Sequence, residues 1–244
     1  MTSLTILIPA RSGSTRVKNK NLQKIGNLSL LEKKIKISKS LKIGKVVVTT
    51  NSSDIAKKAL KAGAEIPFLR PKKYSTANAS TISAILHYLR HQKKKNKKFS
   101  TYLAILPVTN PFLKKKTILR AYQKLSKNRK MNSIIAYTDS IDHPFTFINV
   151  KKKLKFDIFR HNGYVYSDFE RTQDWPQAYI GSAALKITKT SFFLKYLNEK
   201  SPLFAIKTFD LKKAMGIKIS RKENFDINDK FDLIFANQFL NKKK

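Results

Sequence analysis

Short apolar segments alternate with amphipathic segments along the first 140 residues, and this alternation constrains the fold more than any other feature of the sequence. The apolar segments predict buried strands at 4–9, 45–50, 65–69, 102–106 and 133–137. The amphipathic segments predict helices at 28–41, at 79–91, at 114–125, and from a Ser52 or Ser53 cap to residue 62. Because strands joined by crossover helices pair in parallel, the sequence predicts an α/β fold with three layers and a mostly parallel sheet.

The pattern changes after Asp139. Residues 140–180 lack a long helical period and are rich in aromatic side chains, which predicts a small β-rich excursion. Its aromatics serve either a partner or substrate contact or the internal packing of hairpins. Further strands are predicted at 182–187, 203–209 and 216–219, and a last helix at 229–240, with a cap at Asn228 or Asp229. We expect one domain over residues 1–244, with 140–180 as an arm.

The chain is strongly basic. Its 244 residues include 51 Lys and Arg against 15 Asp and Glu, for a net charge of +36, and 42 of the 51 are lysines. Residues 1–138 hold 31 basic and three acidic side chains, a net charge of +28. This balance suits either a polyanionic ligand or lysines that cover solvated helix faces. Since the lysines are scattered and few aromatics lie among them, we favour solvated faces and do not expect a nucleic-acid partner.

Several classes of protein are excluded by what the sequence lacks. It has no cysteine, so disulfides, thiolate zinc sites and cysteine nucleophiles are excluded. His87 and His91 have the spacing of one helix face but no third ligand, so we expect no zinc site. The sequence contains no run of eighteen apolar residues, and no basic region precedes the first apolar run. We therefore expect a cytoplasmic protein without membrane insertion.

The segment after the first predicted strand has the composition of an anion-binding loop. Gly13 and the small hydroxyl residues Ser12 and Ser14 let backbone N–H groups approach an anion. The basic residues of this loop are Arg11, Arg16, Lys18 and Lys20. In an open parallel sheet, ligands bind beyond the carboxyl ends of the strands, where this loop lies. The loop matches neither the P-loop nor the dinucleotide glycine pattern, and the alternative is a plain basic surface loop.

One acidic segment late in the chain is a candidate metal site. Nucleoside triphosphates bring Mg²⁺, which takes oxygen ligands and commonly one or two carboxylates. Asp226, Asn228 and Asp229 lie between a predicted strand and the last helix. We predict Asp226 as the metal carboxylate and Asn228 as a second oxygen ligand. Alternatively, the acids of this segment only stabilise the N-terminus of the last helix.

Six segments of the chain match, in order and with similar spacing, the motifs of one enzyme family. They are ILIPARSGSTRVKNKN (6–21), VVVTTNSSDIAKKALKAGAEIPFLRP (46–71), ASTI (79–82), TNPF (109–112), HP (143–144) with RTQDWPQAY (171–179), and FDIN (225–228). With these motifs the chain resembles the acylneuraminate cytidylyltransferases, which are also called CMP-sialic acid synthetases.

This resemblance implies a Rossmann-like nucleotidyltransferase fold and a homodimer formed through the 140–180 excursion. It implies an enzyme of surface polysaccharide biosynthesis that uses Mg²⁺ to join CTP to a nine-carbon, nonulosonic sugar acid, giving a CMP-sugar and pyrophosphate. The residues it implies at the nucleotide are Arg11, Ser12, Gly13, Ser14, Arg16, Lys20, Asn21, Arg70, Ser80 and Thr81. Those it implies at the sugar acid are Gln173, Tyr179 and Ser182. Arg11, Lys20 and Asp226 are implied as catalytic, and Asp226 and Asn228 as metal ligands.

The chain departs from the family pattern at four places. Thr15 and Arg16 stand where the family has Lys-Gly, and Pro107 stands where it has Gln or Asn. Asn228 replaces a second Asp, and 181–184 replaces an Asn-containing segment after the Tyr. The last departure keeps open a related synthetase that acts on Kdo or another sugar acid. The alternative from a different class is a non-catalytic protein that binds a nucleotide or a nucleic acid.

Overall fold

A six-stranded sheet organises the part of the chain that this computed structural model describes, which comprises residues 3–14, 16–76, 79–150, 156–198 and 211–241. The strands are β1 (Leu4–Pro9), β2 (Lys24–Ile25), β3 (Leu28–Ser29), β4 (Gly44–Thr49), β5 (Tyr102–Ile105), β6 (Ser133–Asp139), β7 (Ile148–Val150), β8 (Phe156–Ile158), β9 (Tyr179–Lys189) and β10 (Ala214–Lys218). The helices are α1 (Leu30–Ser40), α2 (Ser53–Lys61), α3 (Thr81–Lys94), α4 (Lys115–Ser126), α5 (Thr190–Leu194), α6 (Arg221–Asn224) and α7 (Lys230–Asn241).

The order of the strands in the large sheet is β10–β6–β9–β5–β1–β4. β1 pairs in parallel with β4 and β5, and β10 pairs in parallel with β6. β9 runs antiparallel to both of its neighbours, so the sheet is mostly parallel, as predicted. A Cβ at Gly44 would overlap the carbonyl group of Leu4, so the pairing of β1 with β4 at this position needs a glycine.

Helices cover both faces of the sheet, which confirms the prediction of three layers. Ile6 of β1 belongs to a buried cluster that includes Ile118 of α4, on one face. Leu7, the next residue, belongs to the cluster of the other face, with Ile85 of α3 and Phe193 of α5. Successive side chains of a strand point to opposite faces, so the apolar run of β1 supplies both cores.

Two serine caps fix where the first helices begin. Ser29 and Glu32 form a capping box, so α1 begins at Leu30 rather than at residue 28. The Oγ of Ser52 accepts a hydrogen bond from the backbone N–H of Ile55, which makes Ser52 the cap of α2. Gly63 follows this helix with a φ of +83°, a conformation that glycine adopts without steric cost.

The strand predicted at 65–69 is wrong. Only isolated parallel bridges form there, from Glu65 to Val47 and from Leu69 to Thr50. Pro67 lies between the two bridges and has no N–H group to donate to a ladder, which explains the interruption. The strand predicted at 203–209 lies outside the described residues.

The arm at 140–180 contains one antiparallel pair, β7 with β8, and three short 3₁₀ helices among its described residues. Its aromatic rings stack on one another: the ring centroids of His143 and Trp175 are 4.9 Å apart, and those of Phe145 and Trp175 are 5.4 Å apart. We predicted a β-rich arm, and extended pairing in its described residues is interrupted by Pro144, Pro176 and a turn with positive φ at Gly163.

None of the helices in the described ranges has both the length and the apolar character that a bilayer crossing requires.

Candidate active site

A cleft of about 350 Å³ opens at the carboxyl ends of β1 and β5. Its lining residues are Pro9, Arg11, Ser14, Arg16, Lys20, Asn21, Pro107, Val108 and Thr109. A smaller cavity of about 50 Å³ shares several of these residues and adds Ser12 and Gly13. The structure thus brings together at the sheet edge all seven loop residues that the sequence assigned to a nucleotide.

Amide side chains hold the loop in place. The backbone N–H of Ser12 donates to Oδ1 of Asn51 at 2.8 Å, and Nδ2 of Asn51 donates to the hydroxyl of Ser12 at 2.8 Å. Nδ2 of Asn21 donates to the carbonyl of Arg11 at 2.7 Å. Gly13 has a φ of +82°, and beyond its two chain neighbours no atom of the described residues lies within 4 Å of where its Cβ would be, so the backbone at this point is open to a ligand.

Lys20 joins the loop to the acidic segment. Its Nζ donates to the carbonyl of Ile227 at 2.8 Å and to that of Asn228 at 2.9 Å. Burial lowers the pKa of Lys20 from its usual value, against the opposing attraction of Asp226. A lysine from one end of the sequence therefore fixes the position of a segment more than 200 residues away, at the edge of the cleft.

One carboxylate oxygen of Asp226, Oδ1, is buried without a hydrogen-bond partner within the described part of the chain. The described residues contain no group of three or more His, Cys, Asp or Glu side chains that could hold a metal ion. One carboxylate still fits Mg²⁺, which is usually held by one or two carboxylates together with water and substrate phosphates.

The other acids of this segment act on the helix, as the alternative interpretation of the sequence proposed. Oδ1 of Asp229 accepts a hydrogen bond from the backbone of Asp232 at 3.0 Å. Oδ2 of Asp232 accepts from the backbone of Asn228 at 2.8 Å and of Asp229 at 3.1 Å. Asn228 is exposed, and its Nδ2 donates to the carbonyl of Asp226 at 3.4 Å. The carboxylates of Asp229 and Asp232 thus accept hydrogen bonds from backbone N–H groups at the start of the helix, whereas the side chain of Asp226 takes no part in this capping.

A buried lysine lies behind the site, and the sequence analysis missed it. Lys34 of α1 is 2% exposed, and its Nζ donates to the carbonyl of Asn110 at 2.8 Å. Burial lowers the pKa of Lys34 to about 7, and the charge of Asp226 acts in the opposite direction. The position of Lys34 in the sequence could have revealed its burial. It lies three residues after Leu31 and four after Leu30, on the apolar side of its helix.

Asn110 extends this connection to the acidic segment. It is 1% exposed, and its Nδ2 donates to the carbonyls of Asn224 at 3.2 Å and Phe225 at 3.1 Å. The backbone N–H of Ile227 donates to the carbonyl of Thr109 at 2.9 Å. The turn after β5 therefore holds the residues on both sides of Asp226.

The remaining residues assigned to the nucleotide lie outside the cleft lining. Arg70 is 5% exposed, and its Nη2 donates to the carbonyl of Thr49 at 2.6 Å. Burial, reinforced by Arg11, lowers the pKa of Arg70 to about 10. The hydroxyl of Ser80 accepts from the backbone of Ser83 at 3.2 Å as the cap of α3, and Thr81 is exposed.

The residues assigned to the sugar acid are dispersed. Gln173 is exposed and lines a separate cavity of about 380 Å³ in the arm, which Trp175 also lines. Tyr179 is exposed, with its ring centroid 5.2 Å from that of Tyr137. Ser182 is 3% exposed, and its hydroxyl accepts from the backbone of Ala184 at 3.1 Å. None of the three lines the cleft at β1 and β5.

Comparison with known proteins gives a consistent set of relatives. The family model described as cytidylyltransferase matches residues 5–233. The post-translational flagellin modification protein B of Campylobacter coli is 29% identical over 80% of this chain and 81% of its own. A pseudaminic acid cytidylyltransferase of Campylobacter jejuni is 30% identical over 50% of this chain and 53% of its own. The solved structure of a CMP:2-keto-3-deoxy-manno-octonic acid synthetase complexed with CTP aligns over 100% of both chains with a TM-score of 0.73 at 10% identity.

Proposed function

The chain belongs to the cytidylyltransferase family, and from that premise we propose that it transfers CMP from CTP to a nonulosonic sugar acid. The products are the CMP-sugar and pyrophosphate. The names of relatives such as the pseudaminic acid cytidylyltransferase support this class of acceptor. The observation that carries the proposal is the cationic cleft at the ends of β1 and β5, which Lys20 joins to the segment that contains Asp226.

The reaction is an in-line displacement at the α-phosphorus of CTP. The anomeric hydroxyl of the sugar acid forms the new O–P bond, the bond to pyrophosphate breaks, and the hydroxyl proton passes to solvent. Negative charge develops on the phosphates and the leaving group, so fixed cations and backbone donors lower the barrier. Arg11, Arg16 and Lys20 supply that charge along the cleft, and the open backbone at Gly13 supplies N–H groups.

Mg²⁺ is the proposed cofactor, with Asp226 as its carboxylate and Asn228 as a further oxygen ligand. When bound, it neutralises charge on the phosphate oxygens. The buried Oδ1 of Asp226, which has no hydrogen-bond partner in the described residues, supports this assignment. Lys20 contributes by holding the backbone of residues 227 and 228 at the cleft edge.

We also propose a homodimer that forms through the arm. Support comes from apolar side chains of the arm that are open to solvent in the single chain: Ile141 is 70% exposed, Phe147 47% and Ile148 57%. Large apolar side chains that are exposed in the single chain are common at interfaces. The cytoplasm is the proposed location, because CTP is available there.

Pyrophosphate release with a panel of acceptors tests the proposal. The purified protein is mixed with CTP and Mg²⁺ and with N-acetylneuraminic, legionaminic, pseudaminic or Kdo acid in turn. We expect release with CTP, but not with UTP or ATP, and only when a nonulosonic acid is present. Release with Kdo alone would instead support the alternative of a synthetase that acts on Kdo. No release with any acid of the panel, although CTP binds, would contradict the proposed reaction.

A matched pair of lysine variants links that activity to the cleft. Lys20→Met removes the cation that lines the cleft and anchors residues 227 and 228, whereas Lys24→Met removes an exposed lysine four residues further along. We expect a loss of about 100-fold in kcat/KM for CTP with the first variant, as for removal of a single charge-stabilising donor, and none with the second. Equal kinetics of the two variants would contradict the role of Lys20.

A further inference from the structure

Asn51 makes a two-point contact with Ser12, and the chemistry of the groups fixes the direction of both hydrogen bonds. One end of the Asn51 amide lies 2.8 Å from the backbone N of Ser12, and the other end lies 2.8 Å from its Oγ. A backbone N–H can only donate, so the atom that faces it must be the amide oxygen, Oδ1. The other atom is then Nδ2, which can only donate, so the hydroxyl oxygen of Ser12 accepts the second hydrogen bond.

This contact joins the ends of two neighbouring strands. Ser12 follows β1 and Asn51 follows β4, and the two strands are parallel partners in the large sheet. The backbone N–H of Ala10 donates to the carbonyl of Thr49 at 3.0 Å, which continues the pairing beyond the end of β1. Asn51 therefore holds the loop from the rigid edge of the sheet, at a distance of 39 residues along the chain.

The direction of these hydrogen bonds leaves Ser12 with one donor for a ligand. A hydroxyl whose oxygen accepts from an amide still has its own hydrogen to donate. Within the described ranges of the chain, the hydrogen of the Ser12 hydroxyl has no acceptor. Ser12 is half-buried and lines the cavity of about 50 Å³ beside the cleft, together with Gly13 and Ser14. Since its backbone N–H is occupied by Asn51, the hydroxyl is the group with which Ser12 can meet an anion.

We propose that Asn51 is a positioning residue that makes the hydroxyl of Ser12 a hydrogen-bond donor to a phosphate oxygen of the nucleotide. The inference rests on the proposed function, which supplies the triphosphate.

An aspartate at position 51 separates this role from that of holding the loop. Its carboxylate has the shape of the amide and accepts from both the N–H and the O–H of Ser12, so the loop stays tied to the end of β4. The hydrogen of the Ser12 hydroxyl would then point to Asp rather than to the ligand. Asn51→Asp therefore keeps the contact and reverses the direction of one hydrogen bond.

A double-mutant cycle in ligand binding tests the proposal without turnover. Calorimetry measures the Kd of CTP with Mg²⁺, and that of inorganic tripolyphosphate as a probe of the phosphates alone. We expect Ser12→Ala and Asn51→Asp each to weaken binding about tenfold or more, as for a lost hydrogen bond to a charged group, and Ser12→Thr to keep most of the wild-type affinity. The new carboxylate also repels phosphates, so Asn51→Asp is repeated in the Ser12→Ala background. There its effect should be clearly smaller, because the hydroxyl is already absent.

An equal effect of Asn51→Asp in both backgrounds would mean that charge repulsion alone weakens binding, and it would overturn the proposal. Ser12→Ala that binds both ligands as tightly as wild type would do the same, and this arm decides the question if Asn51→Asp does not fold. Asn96→Asp adds the same charge at an exposed turn after α3 and should leave both Kd values unchanged.

The outcomes for this inference and for the proposed function can be told apart. A coupled cycle in a protein that releases no pyrophosphate with any sugar acid would refute the proposed reaction and leave the role of Asn51 intact. Pyrophosphate release by wild type together with an uncoupled cycle would do the reverse. Wild-type protein that binds neither CTP nor tripolyphosphate would contradict both.

Discussion

Burial separates the cations of the site into two groups with different tasks. Arg70 and Lys34 are 5% and 2% exposed, and they donate to backbone carbonyls inside the protein. Arg16 is exposed and lines the cleft, where it can meet phosphate oxygens directly. Buried cations cannot reach a ligand, so the buried pair shapes the site. In the proposed function, Arg11, Arg16 and Lys20 are the cations that face the nucleotide.

The clearest residue-scale prediction concerns Asp226. Asp226→Ala removes the proposed metal carboxylate, and we expect pyrophosphate release to fall about 100-fold or more. Asp229→Asn is the control, because Asn caps a helix as well as Asp does, and it should leave the rate within about twofold. Turnover of Asp226→Ala equal to that of the control would refute the metal assignment.

At this scale the sequence predicted where residues that are neighbours in the chain would lie. The cleft residues of 11–21 follow β1 directly, so the rule for strand ends places them at one edge. The contacts of Lys34, Asn51 and Asn110 were missed because their partners lie 39 to 115 residues away in the chain. No local pattern encodes such contacts.

At the scale of elements, the beginning of α2 gives a test with two neighbouring serines. The hydroxyl of Ser52 caps the helix, whereas Ser53 is exposed at its first position. Ser52→Ala should therefore cost about 1 kcal/mol of unfolding free energy and lower Tm by about 2–4 °C, while Ser53→Ala should have almost no effect. Thermal unfolding of both variants measures the difference. Equal losses would mean that the cap does not stabilise this helix.

Glu223 predicts a pH dependence at the junction of α4 and α6. Its carboxylate accepts from the backbone of Lys114 at 3.1 Å and from the hydroxyls of Thr117 and Ser220. Although burial raises its pKa, these hydrogen bonds lower it to below the usual 4.5. Stability from the charged form is then complete above pH 4.5 and is lost as the pH falls through the lowered pKa.

Comparison with Glu223→Gln measures that contribution. We expect wild type to be more stable than Glu223→Gln at pH 7 and the gap to close in acid, as the wild-type carboxyl becomes protonated. Glu170→Gln, at an exposed position, should show no such trend. A gap that is constant from pH 7 to acid would contradict the assignment of the low pKa to Glu223.

The elements themselves were largely predictable, and the exceptions have local causes. The alternation of apolar and amphipathic segments located β1, β4, β5 and β6 within two residues of their ends. The strand predicted at 65–69 was wrong because of Pro67, which interrupts the pairing although it does not change the apolar pattern of the segment. β9 is longer than predicted and shifts register against β6, since Ile135 pairs with Lys186 while Tyr137 pairs with Gly181. Residues 182–185 thus bulge within the strand, which alternation cannot show.

At the scale of the whole molecule, the arm determines the state of assembly in our account. Ile141→Asp combined with Phe147→Asp places charges on its exposed apolar surface and should convert a dimer to a monomer of 28.0 kDa. Sedimentation equilibrium measures the change. Leu60→Asp, at a residue of α2 that is 55% exposed, should remain dimeric. A wild-type monomer would refute the proposed dimer.

The most direct test of the central claim is the identity of the products. Pyrophosphate release alone cannot distinguish transfer to a sugar from hydrolysis, so the products of a reaction with CTP, Mg²⁺ and the active sugar acid are separated and identified by phosphorus NMR and mass spectrometry. We predict equal amounts of pyrophosphate and of a CMP-sugar joined by one phosphodiester. Free CMP would indicate hydrolysis, whereas CDP with a phosphorylated sugar would place the attack at the γ-phosphorus. Either result would contradict the account.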